Sequence, residues 1–405
     1  MANTILTPTA VTREALRILH AKSTFLSRIN KQYDSSFAND GAKIGDSLKI
    51  RLPNQYSVRS GINMGAQDTV ETSSTLQVAT VMGVDLNFTS QELTLSLDDF
   101  SDRILSPAMS VLAANIESTV LQSVIKDVYQ SSNNVANAIT LANVLGGRKK
   151  LQDALAPDEN RNALLSTNDN LNLIDALKGL FAPQGSIGGN YKDGTMGDAL
   201  GMNFAESTHL VNQARGAGTG YLLNSATPQT GSTLVVDTGT GLIDVGSIIT
   251  ITGVNRVHPE TKVDTGVLQQ FVVVSTNATN ATSIVVSPAI VVSGPTQNVV
   301  CVTTGGAASA GAADNQPVTI LGTASTNYGQ SLVFHRDAFT FATADLVQPK
   351  GVDFAAREVM DGISMSIVRD FSISDRTFPC RLDVLFGYKT IRPQLACRLA
   401  NLAGT

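Results

Sequence analysis

The chain has 405 residues, which is long enough for several domains. Its net charge is −5 and its pI is about 5.4, so it lacks the excess of basic residues that nucleic-acid-binding proteins use to neutralise phosphates. Its three cysteines form no Cys-x-x-Cys pair, which excludes a disulfide framework and indicates reduced, buried thiols. No secretory signal opens the sequence and no apolar run reaches the ~18 residues of a membrane span, which favours a soluble chain in a reducing cytoplasm.

The first element is an N-terminal arm. Residues 11–29, "VTREALRILHAKSTFLSRI", carry apolar side chains at roughly helical spacing after Thr12, a suitable N-cap, and predict an amphipathic helix. The polar side is basic, with a single carboxylate at Glu14. A solvated helix face explains this charge most simply, whereas a docking surface for an acidic partner is the sharper hypothesis and makes Arg13 and Arg17 candidate contacts.

An extended loop follows. Residues 45–53 and 75–90 alternate as strands, and the segment between them is polar and has no period. A loop of about 20 residues without structure of its own is more often functional than part of a compact domain. We expect it to reach outside its own fold, through the charged candidate contacts Arg59, Asp68 and Glu71.

A long helix is predicted over 107–130. Ser106 is its expected cap, Pro107 occupies its first turn, and apolar residues recur every three or four positions. At 1.5 Å per residue such a helix spans about 36 Å and would act as a strut. Short helical stretches and Gly or Asn turns then alternate to residue 215, an α+β pattern.

The composition changes between residues 216 and 330. Only seven residues are charged there, and short β-branched runs are separated by Gly, Asn and Pro turns, which predicts a small all-β barrel or sandwich inserted into the α+β host. Residues 303–317, rich in Gly and Ala, are expected to be a flexible return strand of the linker type. Four of the seven charges fall in 255–266, predicted as a loop that faces water or a neighbour; they are Arg256, Glu260, Lys262 and Asp264.

The triplet His335-Arg336-Asp337 is the one cluster that invites a catalytic interpretation. A kinase catalytic loop requires Asn five residues after the Asp, but residue 342 is Ala, and no glycine-rich phosphate loop or Asp-Phe-Gly accompanies it. The four histidines show no metal-ligand spacing, and no Gly-x-Ser-x-Gly elbow is present. We therefore predict that the protein is not an enzyme and that it binds no cofactor and no metal. We expect Arg336 and Asp337 to fix local strand pairing or a contact with a neighbouring molecule.

Three stretches, together with the order of the elements, resemble a known family. They are "NYKDGTMG" (190–197), "LVFHRDAF" (332–339) and "LDVLFGYKTIRPQLACRL" (382–399), in which a Gly-Tyr pair precedes Arg392-Pro393. The chain resembles tailed-bacteriophage major capsid proteins, in the short-tailed-phage branch that carries an inserted β domain. The resemblance implies the tailed-phage capsid fold, with an N-terminal arm (1–35), a peripheral region (36–135) holding the extended loop (51–75) and spine helix (107–130), an axial domain (136–220 and 329–405) and an inserted barrel-like domain (221–328).

The resemblance also implies function and partners. Hundreds of copies would form an icosahedral shell, first as a procapsid around a scaffolding protein, which expands as double-stranded DNA is packaged. A portal protein would be a further partner, and DNA would be contacted weakly and without sequence specificity. The protein would be found in the virion after assembly in the host cytoplasm, and we expect no proteolytic maturation. In relatives a charged loop before the first inserted strand contacts other capsomers; here 224–231 is uncharged, so that role is lost or has moved to 255–266.

Three other interpretations stay open at this stage. A phage tail or surface adhesin would use the Thr- and Val-rich insertion as its ligand domain. An enzyme would need a cleft that joins His335 and Asp337 to a nucleophile. A bacterial nanocompartment shell would share the fold, although the insertion argues against it.

Overall fold

The computed structural model describes residues 8–34, 47–56, 58, 61–62, 64, 71–89, 104–135, 137–177, 196–276, 279–303, 305–373 and 377–402. The α-helices of this part of the chain are α1 (Pro8–Lys22), α2 (Ser106–Asp127), α3 (Leu141–Asp153) and α4 (Thr167–Leu177). Its strands are β1 (Asn30–Asp34), β2 (Ser47–Arg51), β3 (Ser73–Gln77), β4 (Thr80–Thr89), β5 (Ser131–Asn134), β6 (Arg161–Leu165), β7 (Asp198–Ala199), β8 (Met202–Glu206), β9 (Gln213–Arg215), β10 (Leu222–Leu223), β11 (Gly231–Asp237), β12 (Ile248–Val257), β13 (Asp264–Thr276), β14 (Ser283–Ile290), β15 (Val299–Val302), β16 (Ala308–Ser309), β17 (Val318–Ile320), β18 (Thr326–His335), β19 (Phe339–Ala344), β20 (Phe354–Met360), β21 (Ile363–Arg369), β22 (Thr377–Thr390) and β23 (Ala396–Leu402). This mixture confirms the predicted α+β class.

The chain divides into two compact units. The first comprises residues 1–51, 73–121 and 339–391, and the second comprises residues 52–72, 122–338 and 392–405. Each unit therefore draws on segments that lie far apart in the sequence.

A six-stranded sheet forms the first unit, in the order β1-β19-β22-β21-β20, with β4 paired to β22. Helix α1 packs against β20 and β21, since the apolar side chains Ala15, Leu16 and Leu19 are buried. The rings of Phe25 and Phe339, whose centroids are 5.7 Å apart, extend this core.

The arm helix differs from its predicted bounds of 11–29. It starts at Pro8, and Thr12, predicted as its cap, lies inside the helix and is fully buried. It ends at Lys22, where the last turn tightens: the Ser23 N–H is shared between the Leu19 and His20 carbonyls, at 3.2 and 3.3 Å, and the Ser23 hydroxyl also donates to the Leu19 carbonyl, at 2.8 Å. A short 3-10 turn, Leu26–Arg28, follows the helix, and its buried Leu26 continues the apolar pattern of the arm.

The single strand predicted over 75–90 is two strands. β3 forms a hairpin with β2, whereas β4 pairs with β22. The break falls at Val78, which is fully buried. There a Cβ on Gly387 would lie 2.0 Å from the Gln77 carbonyl oxygen, so only glycine permits the two backbones to pass. Alternation in the sequence could not reveal this change of partner.

Helix α2 begins at Ser106, the residue predicted as its cap, and ends at Asp127 rather than at 130. Its last turn tightens, and the Gln130 carbonyl accepts the Arg398 N–H at 2.8 Å, so the chain leaves the helix to join a sheet. Among the described helices, α2 alone is long and apolar enough to cross a membrane, with a mean hydropathy of 1.3. Because 56% of that window is buried inside the protein, it fits a core helix.

A seven-stranded sheet lies in the second unit, in the order β5-β23-β18-β6-β8-β7, with β9 paired to β18. Helix α3 packs on β5, β18 and β23, and α4 contacts β6. Next to α4 the interior is polar, because the buried Asp169 carboxylate accepts hydrogen bonds from Ser331 Oγ and Asn401 Nδ2. The first of the family-like stretches, 190–197, lies outside the described residues except for its last two positions.

An eight-stranded sheet completes the second unit, in the order β10-β11-β14-β13-β12-β15-β16, with β17 paired to β12. Strand β10 also lies beside β17: the Val318 N–H donates to the Tyr221 carbonyl at 2.9 Å, and the Leu223 N–H donates to the Gln316 carbonyl at 3.0 Å. These bonds close β10, β11, β14, β13, β12 and β17 into a ring. We call residues 216–325 the barrel; Phe271 and the aliphatic side chains around it fill its interior.

Residues 303–317, predicted as a flexible linker, belong to the barrel instead. Ala312 is part of the barrel core, and Gln316 is fully buried. A Cβ on Gly311 would lie 2.5 Å from the Gln229 carbonyl oxygen. The small residues here therefore reflect close backbone packing.

One pair of strands connects the barrel to the seven-stranded sheet. β9 and β18 pair antiparallel with Arg215 opposite Thr326, and the Ser325 N–H donates to the Gly216 carbonyl at 3.3 Å. We call this pair the neck. Residues 326–328 were predicted to be the last residues of the insertion. They belong to the seven-stranded sheet, because β18 already begins at Thr326.

Candidate assembly surfaces

The exposed arginines of the N-terminal arm, predicted to bind an acidic partner, have anionic neighbours within the first unit. Arg17 Nη2 lies 2.6 Å from a carboxylate oxygen of Glu14, and Arg13 Nη2 lies 3.7 Å from Glu358. Both arginine side chains keep more than half of their surface exposed, at 70% for Arg13 and 62% for Arg17. They remain accessible, but the positive field they offer is weaker than the sequence implies.

A second set of contacts holds the arm against the β20–β21 turn. Asp361 accepts a hydrogen bond from Lys31 and lies 2.7 Å from His20 Nε2. Its carboxyl pKa lies below the ordinary value, chiefly because Lys31 donates to it and secondarily because of His20. Asp361 and Gly362 both have positive φ, at 48° and 73°, which gives the tight turn that presents the carboxylate. We call His20, Lys31 and Asp361 the arm clasp.

The extended loop carries exposed apolar side chains beyond the β2–β3 hairpin. Val58 and Ile62 are each 97% exposed, and Met64 is 85% exposed. Glu71 is also exposed, whereas the candidate contacts Arg59 and Asp68 lie outside the described residues. Nothing in the part of the chain that the structure describes covers these apolar groups, a property typical of interaction surfaces.

The four charged residues predicted to face a neighbour lie on the β12–β13 hairpin, and most have partners within the chain. Arg256 donates to Asp153 of α3 at 2.8 Å. Lys262 donates to a backbone carbonyl of the β14–β15 connection at 3.1 Å, and Asp264 accepts the N–H two residues further on at 2.8 Å. Glu260 is exposed near the tip of the hairpin. The contact of Arg256 is therefore internal, and the tip is the part open to a partner.

The His335-Arg336-Asp337 triplet closes the end of β18. His335 is 4% exposed, and its Nδ1 accepts the Asp337 N–H at 3.2 Å. Burial lowers the pKa of His335, against the opposing effect of the Asp337 carboxylate, so the ring is neutral near pH 7. The Arg336 side chain is exposed, and its N–H donates to the Asn160 carbonyl at 3.2 Å. These bonds fix the turn after the strand.

Metal-binding clusters and ionised thiols are both absent from the part of the chain that the structure describes. No group of three His, Cys, Asp or Glu side chains there is placed to hold a metal ion. Cys301, Cys380 and Cys397 are buried, and burial raises the pKa of each thiol to about 11, so all three are protonated at neutral pH.

Some contacts of the second unit escaped sequence reasoning altogether. Gln270 of β13 bonds to Ser131 of β5, 139 positions away, and to Lys150 of α3, 120 positions away. No periodicity or motif marks such pairs, because each residue taken alone is an ordinary polar residue on a strand or helix.

The family comparison decides what these surfaces belong to. Residues 19–399 match the family model described as "P22 coat protein - gene protein 5". The chain belongs to the P22 coat protein family. It is a major capsid protein, located in the virion shell that it forms with copies of itself. A search of curated proteins finds no match to it.

Solved phage structures cover nearly the whole chain at low identity. A structure of Mycobacterium phage Che8 is 10% identical, with 93% of this chain and 90% of that chain covered and a TM-score of 0.44. The mature capsid of bacteriophage PhiM1 is 11% identical, with coverage of 95% and 88% and a TM-score of 0.44. The capsid of Ralstonia phage GP4 is 7% identical, with coverage of 95% and 92% and a TM-score of 0.46. The assignment rests on the family match.

The family is one of coat proteins, which indicates a non-enzymatic role. Nothing in the comparisons favours the adhesin interpretation.

Proposed function

We propose that this capsid protein assembles in the host cytoplasm as a procapsid around a scaffolding protein, and that this shell expands as DNA is packaged through a portal. The family match and the order of elements support this course of assembly. The net charge of −5 supports a lining that contacts packaged DNA weakly, since strong phosphate binding requires clustered cations.

The exposure of the extended loop is the observation that carries the proposal. Val58, Ile62 and Met64 expose nearly all of their apolar surface in the single chain. Burying such side chains against a neighbouring copy would contribute about 1.5–3 kcal/mol each. A loop on one copy that binds a different surface on the next is a heterologous contact, which closes into a shell when symmetry permits.

We place two further contacts beside it. The tip of the β12–β13 hairpin, around Glu260, would meet a neighbouring copy, and the exposed face of α1, with Arg13 and Arg17, would meet an acidic surface of the scaffolding protein. The accessibility of these side chains supports both assignments. The candidates Arg59, Asp68, Glu71, Arg336 and Asp337 stay predictions.

The barrel is proposed as an inserted domain of the capsid fold. Its strands are consecutive in sequence, and a single strand pair leads into it and out of it. Termini this close together are what an insertion into another domain requires.

Electron microscopy tests the assembly directly. We would express the chain with and without the genes that neighbour it, and we expect closed shells of uniform diameter with them. Soluble monomers under both conditions would contradict the proposal. Ile62→Asp should abolish shells because it places a charge in an apolar contact, whereas the control Ile373→Asp, at another exposed isoleucine, should not.

A second experiment addresses the scaffold contact. Arg13→Glu combined with Arg17→Glu should reduce co-assembly with the scaffolding protein, measured as the scaffold content of purified procapsids. The control is Lys49→Glu, an exposed cation of β2 outside the arm. Procapsids with the wild-type scaffold content would remove α1 from the contact.

A further inference from the structure

Strand β5 forms one end of the seven-stranded sheet, and an edge strand leaves backbone groups without a neighbouring strand. At Ser131, which is 1% exposed, these groups bond to the barrel. The Ser131 N–H donates to Gln270 Oε1 at 2.9 Å, and Gln270 Nε2 donates to the Ser131 carbonyl at 3.1 Å. One side-chain amide thus takes the place that a peptide group of a further strand would occupy.

Helix α3 adds two contacts to the same face of the barrel. Lys150 Nζ donates to Gln270 Oε1, the oxygen that already accepts the Ser131 N–H. Asp153, nearly one turn further along α3, accepts from Arg256 Nη2 at 2.8 Å. Both members of this ion pair are partly buried, with 25% of the Arg256 side chain and 31% of the Asp153 side chain exposed. We call Ser131, Lys150, Asp153, Arg256 and Gln270 the barrel latch.

The latch is separate from the neck. The neck is a short ribbon of two strands. Two-stranded ribbons adopt larger twists than wide sheets, so we expect the neck by itself to keep the barrel attached without fixing one orientation. Contacts at Gln270 and Arg256 fix a second side of the barrel, and a body held on two sides cannot rotate about either one.

The latch consists of hydrogen bonds and an ion pair, and such contacts are suited to fixing the orientation of the barrel. Apolar contacts are non-directional, so they tolerate sliding and rotation. Hydrogen bonds weaken steeply when their angle departs from linear, and a side-chain amide that both donates to and accepts from one residue allows a single approach. The polar contacts of the latch therefore define the angle between the barrel and the seven-stranded sheet.

We infer that the barrel latch sets the direction in which the barrel projects from the seven-stranded sheet, and that this angle is required for shells of uniform curvature. The first half of this inference concerns the single chain, and the second rests on the proposed assembly. Gln270 and Arg256 are thereby positioning residues, which act through the orientation of the barrel.

A charge exchange tests the ion pair of the latch. Arg256→Asp brings two carboxylates together, Asp153→Arg brings two guanidinium groups together, and the double exchange restores an opposite pair. We expect each single variant to give irregular or open shells in electron microscopy and the double variant to regain uniform ones. Uniform shells from both single variants would overturn the role in curvature, as would a double variant no better than either single one.

Hydrogen exchange tests the latch in the subunit itself, without reference to shells. Gln270→Ala should raise the exchange rate of the Ser131 amide roughly five- to tenfold, the factor expected for the loss of one hydrogen bond. Gln270→Glu keeps the acceptor oxygen and should keep most of the protection. The matched control is Gln297→Ala, because the Gln297 side chain bonds to the Val299 carbonyl within the barrel. Unchanged exchange at Ser131 in Gln270→Ala would overturn the latch.

The two readouts separate the possible failures. If the wild-type chain formed no shells, the proposed assembly would be contradicted, while exchange at Ser131 would still decide whether the latch exists. Protection of the Phe271 amide in the barrel core should stay at the wild-type level in every latch variant. Loss of that protection in Gln270→Ala would show that the contact supports folding of the barrel and would overturn its role in orientation.

Discussion

The barrel and the seven-stranded sheet share one compact unit, but they are built in opposite ways. Every strand of the barrel lies between Leu222 and Ile320, and its interior is filled by apolar side chains. The seven-stranded sheet takes its strands from stretches spread between residues 131 and 402, and it buries Asp169 and Arg398 among its strands and helices. The barrel therefore rests mainly on local, non-directional contacts, whereas the sheet depends on long-range pairing and on polar partners.

The difference has a consequence for the order of folding. Contacts between residues close in sequence cost little loop-closure entropy, so a region rich in them forms readily. The central strand β18 of the sheet follows the barrel in the chain and pairs with β9, which precedes it. A folded barrel brings these two strands together and so removes most of the entropy cost of joining them.

The largest expected effect is in the barrel core. Phe271→Ala removes a fully buried ring, and we expect the free energy of unfolding of the barrel to fall by about 3–5 kcal/mol. Urea unfolding with residue-resolved hydrogen exchange would measure it. Protection should be lost first in β11 to β15. Loss that starts in β23 instead would show that the sheet is the less stable of the two regions.

The second-largest change in the free energy of unfolding is expected in the polar interior of the seven-stranded sheet. Asp169→Leu leaves Ser331 Oγ and Asn401 Nδ2 without their acceptor, and we expect a loss of about 3 kcal/mol in the free energy of unfolding. The control Leu171→Ala lies on the same helix, where Leu171 is 64% exposed, and should change stability by no more than about 0.5 kcal/mol. If the two variants lost the same free energy of unfolding, the hydrogen bonds of the buried cluster would not contribute to stability.

Arg398 should behave in the opposite way from Asp169. It is 1% exposed, and its Nε and Nη2 have no hydrogen-bond partner among the described residues. Burial lowers the pKa of its guanidinium to about 10, which marks the cost of placing the charge there. Arg398→Met should leave the free energy of unfolding within about 1 kcal/mol of wild type or raise it. A loss as large as that of Asp169→Leu would show that the charge has an essential partner.

The smallest effect is at the surface of the first unit, in the arm clasp. The Asp361 pKa is depressed in the folded state, so the carboxylate contributes stability above the unfolded pKa of about 3.9, and this is lost as the pH falls through the folded pKa. Because Asp361 is 57% exposed, we expect Asp361→Asn to cost at most about 1 kcal/mol at pH 7.

Urea unfolding of wild type and Asp361→Asn between pH 3 and pH 7 would measure this difference, which should shrink toward the acid end. Glu260→Gln, at an exposed carboxylate of the β12–β13 hairpin, serves as the control. A difference that is the same at every pH would assign the effect to the shape of the turn rather than to the charge.

The sequence predicted the barrel strands better than it predicted the contacts. β-branched runs separated by Gly and Pro turns marked β11 to β15, because strand propensity and turn chemistry act over a few residues. The same local logic misassigned 303–317 as a linker, since small residues serve both flexibility and close packing. It also joined β3 to β4, because the break depends on Gly387 in a strand formed much later in the chain.

The candidate contacts show the same division between local and long-range information. Charge in 255–266 was visible in the sequence, but whether Arg256 faces a neighbour depended on Asp153, whose position only folding fixes. Gln270 could not have been selected, because a glutamine on a strand carries no local mark of an edge-binding role.

Short-range patterns and the order of elements were enough to predict the α+β class, the start of the spine helix, most barrel strands and, through the resemblance, the capsid protein family. Which strands pair, which charges meet within the chain, and where the barrel is attached to its sheet became known from the folded structure alone. Those outcomes depend on residues more than a hundred positions apart, such as Gln270 and Ser131, and their energies arise only when the fold has brought them together.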